Sequence, residues 1–207
     1  MTYLERILHD GEDREGWLDA REPVVGASDA AGFAKVESVP IYVDAKTKPR
    51  TFSGNETTEN GHTWEPDLLA WVGIPQNRAL IHHPDEPGFA ATPDGLRVIP
   101  DSDGDLQLAE IKVKHNKIVT GPTPAEFRQV VWQLFVLPEA RSVTWAWGEL
   151  VKDAGGQWVL RAGSPKKITF WRDDPKIIDV QNKIVPIATA VLAGMREKRA
   201  LRERAGF

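Results

Sequence analysis

Two apolar segments joined by a polar turn constrain the fold of this chain more than any other feature. Residues 106–113 are mostly apolar and follow the turn-forming sequence Asp-Ser-Asp-Gly-Asp, which predicts a β-strand. Because side chains alternate along a strand, one face would carry Leu106, Leu108, Glu110 and Lys112. Residues 96–99 predict a second strand before the turn, and Asp94 comes shortly before it. A hairpin of these two strands would bring Asp94 back beside Glu110.

The hairpin would gather two carboxylates and one ammonium on one face of a sheet, from Asp94, Glu110 and Lys112. Mg²⁺ binds oxygen ligands, usually one or two carboxylates together with water and phosphate. The bound cation acidifies water and neutralises charge that develops on a phosphate. The set is therefore typical of metal-dependent hydrolysis of phosphodiesters. The alternative is an exposed hairpin with a surface Glu–Lys pair, which contributes little to stability.

Length and composition bound the class of protein. With 207 residues, 41% of them hydrophobic, the chain is predicted to form a single domain over residues 1–207. Its core would cover residues 17–172, and a C-terminal helical extension would cover residues 174–207. The absence of cysteine excludes disulfides and thiolate zinc sites and fits a reducing cytoplasm. No apolar run approaches a membrane span and no signal-peptide pattern is present, so we expect a soluble cytoplasmic protein without a membrane partner.

The charge distribution limits the kinds of nucleic-acid contact that are expected. A net charge of −4 argues against a general nucleic-acid coating protein, although charge can be segregated along a chain. A basic patch lies beside the predicted site and consists of Lys112, Lys114, His115 and Lys117. Residues 195–207 carry five Lys and Arg against two Glu, which predicts a basic, amphipathic end to the last helix.

Helical and strand patterns alternate along the rest of the chain. Helices are predicted over residues 2–9, 13–22, 30–35, 38–46, 61–72, 124–137 and beyond 175. Ser28 or Asp29 is expected to cap the third of these helices, Thr123 the sixth and Asp174 the last. Further strands are predicted over residues 78–82, 89–91, 143–147, 158–161 and 168–171, and a polar loop over residues 48–60. This order predicts an α/β fold with a mixed central β-sheet flanked by helices.

Five short motifs occur in an order and at a spacing that resemble one known family. They are Trp17…Arg21…Gly26-Ala27-Ser28-Asp29, Gly61…Glu65-Pro66, Thr92-Pro93-Asp94-Gly95, Glu110-Ile111-Lys112, and Phe127…Gln129-Val130…Gln133-Leu134. Over residues 17–150 the chain resembles the YqaJ-type viral recombinase exonucleases, the lambda exonuclease family within the PD-(D/E)xK nuclease superfamily. The resemblance implies a restriction-endonuclease-like core. Residues 150–207 lie outside it.

The resemblance implies a Mg²⁺-dependent exonuclease, with Mn²⁺ as a substitute, that degrades the 5′-ended strand of duplex DNA. The 3′ single-stranded overhang would then pass to a single-strand annealing protein in phage-type recombination. Members of the family form ring-shaped trimers that encircle DNA, which implies a homo-oligomer, a trimer, for this chain. A phage or prophage protein of this kind would act in the cytoplasm of a bacterial host.

The resemblance also implies roles for individual residues. The catalytic centre would consist of Glu65, Asp94, Glu110, Lys112 and Gln129. Asp94 and Glu110 would hold the metal with the Ile111 carbonyl, and Lys112 would act on the attacking water. The terminal 5′-phosphate would be gripped by Arg21, Ser28 and Thr92. From the basic patch, further DNA contacts are expected at Lys114 and Lys117.

Two departures from the family pattern and two rival functions remain. Thr92 stands where the family usually has Ser, and Val131 stands where it often has a second Gln. One rival is another nuclease of the superfamily, such as an endonuclease or a Cas4-like enzyme, although the latter often carries a cysteine-ligated iron–sulfur cluster and this chain has no cysteine. The other is a non-catalytic DNA-end-binding or protein-binding module, which would have no need of the set Asp94, Glu110 and Lys112.

Overall fold

The computed structural model of the protein describes residues 2–48 and 56–205, and their side chains except those of residues 56–62. The strands of this part are β1 (Ile7–His9), β2 (Leu80–His82), β3 (Ala90–Ala91), β4 (Gly95–Val98), β5 (Leu106–His115), β6 (Ala140–Lys152), β7 (Trp158–Leu160) and β8 (Lys166–Trp171). Its helices are α1 (Arg14–Arg21), α2 (Ala27–Ala30), α3 (Val39–Thr47), α4 (Glu56–Val72), α5 (Pro124–Val136) and α6 (Pro175–Ala205).

The central sheet is mixed, as predicted. It runs in the order β4-β5-β6-β7, and β8 also pairs with β6. The long strands β5 and β6 are parallel, while β4 pairs antiparallel with β5, and β7 and β8 pair antiparallel with β6. The parallel pairing requires a crossover, which α5 provides. A second, antiparallel sheet of order β1-β2-β3 is formed from the shorter strands.

Strand β5 is covered on both faces, and the two faces carry different side chains. Leu106 and Leu108 belong to the large apolar core that includes α5 and α6, whereas Ala109 and Ile111 pack with residues of α4. Alternation along the strand therefore turns Glu110 towards α5. A carboxylate in this position lies inside the protein, between two layers.

The caps predicted for the two long C-terminal helices are confirmed. The Thr123 hydroxyl accepts a hydrogen bond from the Glu126 amide at 3.3 Å, and the Glu126 carboxylate accepts one from the Thr123 amide at 2.9 Å. This reciprocal arrangement is a capping box, with Pro124 in the first helical position. At the start of α6 the Asp174 carboxylate accepts from the Lys176 amide at 2.8 Å.

Three predicted segments near the N-terminus are wrong. Residues 2–9 form a 3₁₀ turn followed by β1, because Ile7 and its neighbours pair with β2. The short helix after Gly26 is α2, at Ala27–Ala30, and not residues 30–35. Helix α4 begins at Glu56 rather than at residue 61, so the predicted polar loop is wrong for residues 56–60. Residues 49–55 of that predicted loop lie outside the described residues.

Helix α6 also corrects an expectation about apolar runs. Within the described residues it is the one helix long and apolar enough to cross a membrane by length and composition, although a buried core helix passes the same test. Its apolar side chains that are buried in the protein are Ile177, Ile184, Ile187, Ala188, Val191, Leu192 and Met195. The helix packs against α3 and α5, which accounts for an apolar face in a globular domain.

Candidate active site

The predicted hairpin between Asp94 and Glu110 is confirmed. Asp94 directly precedes β4, whose first residue Gly95 pairs with Ala109 of β5. One carboxylate oxygen of Asp94 accepts a hydrogen bond from the backbone amide of Ile111 at 2.7 Å. The strand pairing therefore holds the Asp94 carboxylate against the backbone of the strand that carries Glu110.

The Glu110 carboxylate is buried and both of its oxygens have partners. The residue is 1% exposed. Its Oε1 accepts from the Lys112 ammonium, which leaves the same face of β5 two residues further on. Its Oε2 accepts a hydrogen bond from the side-chain amide of Gln133, on α5. Gln133 is itself fully buried. A buried charge is tolerated when it is paired and hydrogen-bonded in this way.

The electrostatics of the site follow from two carboxylates that share one ammonium. Burial raises the pKa of Asp94 well above its usual range, and the negative charges of Glu110 and Glu65 raise it further. Burial lowers the pKa of Lys112, but the charges of Glu110 and Asp94 outweigh this effect and hold the pKa above its usual range. With both carboxylates ionised, the site would carry more negative than positive charge, and a further cation would neutralise the difference.

A divalent cation fits the donors that are present. In residues 2–48 and 56–205 no group of three or more His, Cys, Asp and Glu side chains is arranged to hold a metal ion. Asp94 and Glu110 nevertheless supply two carboxylates beside the backbone of Ile111, and Mg²⁺ commonly takes only one or two carboxylates from a protein. The oxygen-only donor set suits a hard cation such as Mg²⁺ or Mn²⁺.

An open cavity of about 550 Å³ lies in front of Asp94. It joins residues that the sequence resemblance assigned to two different tasks, because its lining includes Glu65, Asp94, Gln129, Arg21, Ser28 and Thr92. Glu110 and Lys112 do not line this cavity and are bonded to each other beside Asp94. Glu65 accepts a hydrogen bond from Gln76 at 3.1 Å and contributes negative charge near Asp94. The carboxylates of Asp94 and Glu65 therefore face the same cavity as Arg21.

The lining of the cavity also includes Arg21, Ser28 and Thr92. The Arg21 guanidinium donates to the Ser28 hydroxyl and lies 5.0 Å from the centre of the Trp17 ring. The Thr92 hydroxyl is buried and has no hydrogen-bond partner among the described residues. A buried polar group of this kind calls for a ligand or a water. We call these three residues the anion wall.

The expected cap at Ser28 or Asp29 is wrong, because the helix begins before these residues. Ser28 lies inside α2, whose N-cap is Gly26 and which has only four residues. The Asp29 carboxylate accepts from the Gly26 amide at 2.8 Å and pairs with Lys46 at 2.7 Å. These contacts stabilise the turn that presents Ser28 to Arg21.

The two lysines predicted to contact DNA occupy different environments. Lys114 pairs with Glu126 at the start of α5 and lies 5.8 Å from the centre of the Trp145 ring. Lys117 is exposed beyond the end of β5. Neither lines the cavity in front of Asp94, so a DNA contact at either residue would lie outside that cavity.

Gln133 is a site residue that the sequence reasoning missed as such. It lies four residues after Gln129 on α5, and residues at this spacing share one face of a helix. A glutamine inside the apolar stripe of a buried helix was the available signal, since a buried amide needs a polar partner. The partner, Glu110, became identifiable only when α5 was located over β5.

Comparison with known proteins finds matches in structure only. No protein-family model matches, and no curated protein matches. The alkaline exonuclease LHK-Exo from Laribacter hongkongensis superposes with a TM-score of 0.59 at 20% identity, over 92% of this chain and 99% of that chain. The same exonuclease in complex with dAMP gives 0.61 at 20% identity, over 93% and 98%. A phage-related exonuclease from Haemophilus somnus 129PT gives 0.54 at 12% identity, over 94% and 93%.

These similarities show the fold. The mixed sheet flanked by helices is the restriction-endonuclease-like architecture of these exonucleases, and the chain covers nearly their whole length. The predicted fold class is therefore confirmed.

Proposed function

We propose that the protein is a metal-dependent deoxyribonuclease that degrades duplex DNA from 5′-phosphorylated ends, in the 5′-to-3′ direction. The observation that carries the proposal is one cavity whose lining includes both Asp94 and the anion wall. A terminal phosphate held at that wall would leave the adjoining phosphodiester near the carboxylates. The exonuclease fold supports the same conclusion, and one of the similar structures contains dAMP, a mononucleotide of the kind an exonuclease releases.

The centre would hold Mg²⁺, or Mn²⁺ in its place, through Asp94, Glu110 and the Ile111 carbonyl. When bound, the cation supplies an acidified water and neutralises charge on the phosphate. Lys112 donates to Glu110, so its ammonium lies next to this donor set and would orient the attacking water. Glu65 and Gln129 line the cavity beside Asp94 and would hold the water and the scissile phosphate through hydrogen bonds.

The anion wall would bind the terminal 5′-phosphate. Guanidinium groups bind two phosphate oxygens in one plane, and hydrogen bonds between charged groups are stronger than neutral ones. The Ser28 hydroxyl lies within hydrogen-bond reach of Arg21, and the buried Thr92 hydroxyl would gain the partner that the protein itself does not supply. This wall favours a nuclease that starts from DNA ends over an endonuclease, which has no terminal phosphate to recognise.

The proposal extends to the assembly and the biological setting. A 3′ single-stranded overhang would pass to a single-strand annealing protein in phage-type recombination, in the cytoplasm of a bacterial host. A ring-shaped homotrimer would keep the enzyme on the duplex. These points rest on the resemblance of the sequence motifs to the lambda exonuclease family.

Digestion of matched substrates tests the proposed reaction. With Mg²⁺, a blunt duplex with 5′-phosphates should yield mononucleotides and a 3′ overhang, and excess chelator should abolish the reaction. A covalently closed circular duplex is the control and should stay intact. Cleavage of the circle would indicate an endonuclease, and end binding without cleavage in Mg²⁺ would indicate a non-catalytic module.

A further inference from the structure

Two arginines in the active-site cavity have no role in the reaction described above. Arg14 and Arg78 line the cavity, and its other charged lining residues are Arg21, Glu65 and Asp94. The lining therefore has three guanidinium groups and two carboxylates, and a metal ion bound at Asp94 would make the balance more positive. A cleft lined by an excess of one charge attracts ligands of the opposite charge. The surplus therefore favours an anionic ligand.

Arg78 is connected to the carboxylates of the site through one side chain. Its guanidinium donates to the side-chain oxygen of Gln76 at 3.4 Å, and the side-chain nitrogen of Gln76 donates to the Glu65 carboxylate at 3.1 Å. Arg78 is itself exposed. The neutral amide of Gln76 therefore holds a cation near Glu65 without neutralising its charge.

Arg14 lies on the same face of helix α1 as Arg21. Arg14, Trp17 and Arg21 are three and four residues apart, a spacing that places side chains on one helix face, and all three line the cavity. Seven residues of helix rise about 10 Å, so Arg14 and Arg21 start from different positions along the cavity. The acidic residues beside Arg14 in the chain do not line the cavity, and one of them, Asp13, caps α1. Among the described residues, no carboxylate forms a salt bridge with Arg14 or Arg78.

A close backbone contact holds Arg78 against the chain that enters α1. Gly11 has a φ of +85°, and a Cβ atom on it would lie 2.3 Å from the carbonyl oxygen of Arg78. Glycine permits both this conformation and this approach. Gly11 precedes Arg14 by three residues, which span at most about 11 Å. The side chains of Arg14 and Arg78 therefore leave neighbouring parts of the cavity wall.

We propose that Arg14 and Arg78 bind phosphodiesters of the duplex whose terminal 5′-phosphate is held by Arg21. Guanidinium groups suit this task because they bind phosphate oxygens in pairs. Contacts to the backbone position a duplex and do not read its sequence. The inference rests on the proposed function for the DNA end that occupies the cavity, but it concerns two residues that have no part in the chemical step.

Salt-dependent binding tests the two arginines. Affinity for a blunt duplex is measured in chelator, so that no cleavage occurs, for wild type and for Arg14→Ala/Arg78→Ala. The matched control is Lys176→Ala/Arg204→Ala, which removes two exposed cations that do not line the cavity and should keep the wild-type slope. The alanine variant should lower the slope of log affinity against log salt by about 1 to 2, because each phosphate contact contributes about 0.9. Wild type would then lose about three- to tenfold more affinity than this variant between 50 and 200 mM salt.

Two duplexes separate this contact from the terminal phosphate. One carries 5′-phosphates and the other carries 5′-hydroxyls. The loss of slope in Arg14→Ala/Arg78→Ala should be the same on both duplexes, whereas Arg21→Ala should act mainly on the phosphorylated one. A loss confined to the phosphorylated duplex would place Arg14 and Arg78 at the terminal phosphate and would overturn the proposal.

A lysine variant separates the effect of charge from an effect on folding. Arg14→Lys/Arg78→Lys keeps both charges and should retain most of the wild-type slope, since the slope counts neutralised phosphates. A slope as low as that of the alanine variant would trace the loss to altered structure and would overturn the proposal. Equal slopes for the alanine variant and the control would overturn it as well.

Cleavage by wild type separates the failure of this inference from the failure of the proposed function. Wild type that cleaves in Mg²⁺, while the alanine variant binds like the control, would overturn the phosphodiester contact alone. Wild type that does not cleave, with the slope difference present on both duplexes, would overturn the nuclease and leave the contact standing.

Discussion

The side-chain amide of Gln133 donates a hydrogen bond to the carboxylate of Glu110, and the two residues are 0% and 1% exposed. The bond connects helix α5 to the central strand β5 inside the protein. It fixes one oxygen of Glu110 while Lys112 engages the other. Gln133 therefore orients a proposed metal ligand without lining the cavity itself.

Replacement of Gln133 by Met should weaken metal binding. Met has nearly the same length but donates no hydrogen bond, and loss of a group that orients a ligand typically costs about 10–100-fold in metal affinity or activity. The unpartnered Glu110 oxygen should also cost about 1–3 kcal/mol of stability. Calorimetric titration with Mn²⁺ measures the affinity without turnover, and urea unfolding measures the stability. Wild-type Mn²⁺ affinity in the variant would limit Gln133 to a role in packing.

The hairpin and the long helices were predictable because their signals are local. Thr123 with Glu126, and Asp174 with Pro175, are caps that can be identified from a few neighbouring residues. The alternation of residues 106–113 likewise gave the face that carries Glu110. These features depend little on what the rest of the chain does.

The errors arose where distant partners decide the local structure. Ile7 joins a strand because it pairs with Ile81, far along the chain. The Asp29 carboxylate accepts a hydrogen bond from the Gly26 amide and pairs with Lys46. These two contacts favour a helix that starts at residue 27 over one that starts after Ser28. The partner of Gln133 depends on how α5 lies over β5. Sequence patterns contain none of this information.

Replacement of Asp94 by Asn should stabilise the metal-free protein and abolish activity. Burial and Glu110 raise the pKa of Asp94, so its ionised form is unfavourable in the folded state. Asn removes that charge, and its side-chain oxygen can still accept from the Ile111 amide. Thermal unfolding at pH 8 in chelator should therefore give a higher Tm for the variant.

The Tm of wild type and of the Asp94→Asn variant should also be measured with Mg²⁺ in place of chelator. A ligand that binds only the folded state stabilises it, so wild type should gain Tm with Mg²⁺ and the Asp94 variant should not. A variant with lower Tm than wild type in chelator would mean that Asp94 supports the fold rather than a cation.

Lys112 and Lys114 should differ in effect although both are lysines on the same face of β5. Lys112 donates to Glu110, whereas Lys114 pairs with Glu126. Lys112→Ala should reduce turnover strongly and leave duplex affinity intact. Lys114→Ala should mainly weaken duplex binding and lower its salt dependence. Steady-state rates with binding titrations at two salt concentrations separate the two. Equal losses of turnover would contradict the role given to Lys112.

Glu149 should make the free energy of unfolding depend on pH under acidic conditions. Hydrogen bonds from the Val119 amide and from Lys166, both 3.0 Å, outweigh the effect of burial and lower the pKa of Glu149 to about 2. The pKa of Glu149 is lower in the folded state than in the unfolded state, where it is near 4.5, so the ionised carboxylate stabilises the fold. This stabilisation is fully present above pH 4.5 and is lost as the pH falls towards 2. Glu149→Gln should thus cost about 1–3 kcal/mol at pH 7 and less at pH 3.

Urea unfolding at pH 7 and pH 3 measures this difference, and Glu197→Gln is the matched control because Glu197 is exposed on α6. The control should change stability little at either pH. A Glu149→Gln cost that is the same at pH 3 as at pH 7 would show that packing, not charge, makes Glu149 stabilising.

Arg21 should determine the preference for 5′-phosphorylated ends. Its guanidinium donates to the Ser28 hydroxyl, lies over the Trp17 ring and lines the same cavity as Asp94. Loss of one charged hydrogen-bonding partner costs about 1.5–3 kcal/mol, or roughly ten- to over a hundredfold in rate. Arg21→Ala should therefore slow digestion of a 5′-phosphorylated duplex far more than digestion of a 5′-hydroxyl duplex.

The 5′-hydroxyl duplex is the matched control, because it differs from the substrate only in the group that Arg21 would hold. Arg21→Lys keeps the charge but lacks the planar pair of donors, so it should restore only part of the preference. If Arg21 served only as a surface ion pair with Glu22 or Asp29, both duplexes would be affected alike, and slightly. Initial rates for the wild type and the two variants on both duplexes decide between these roles, and an unchanged preference would remove the 5′-phosphate from the function of Arg21.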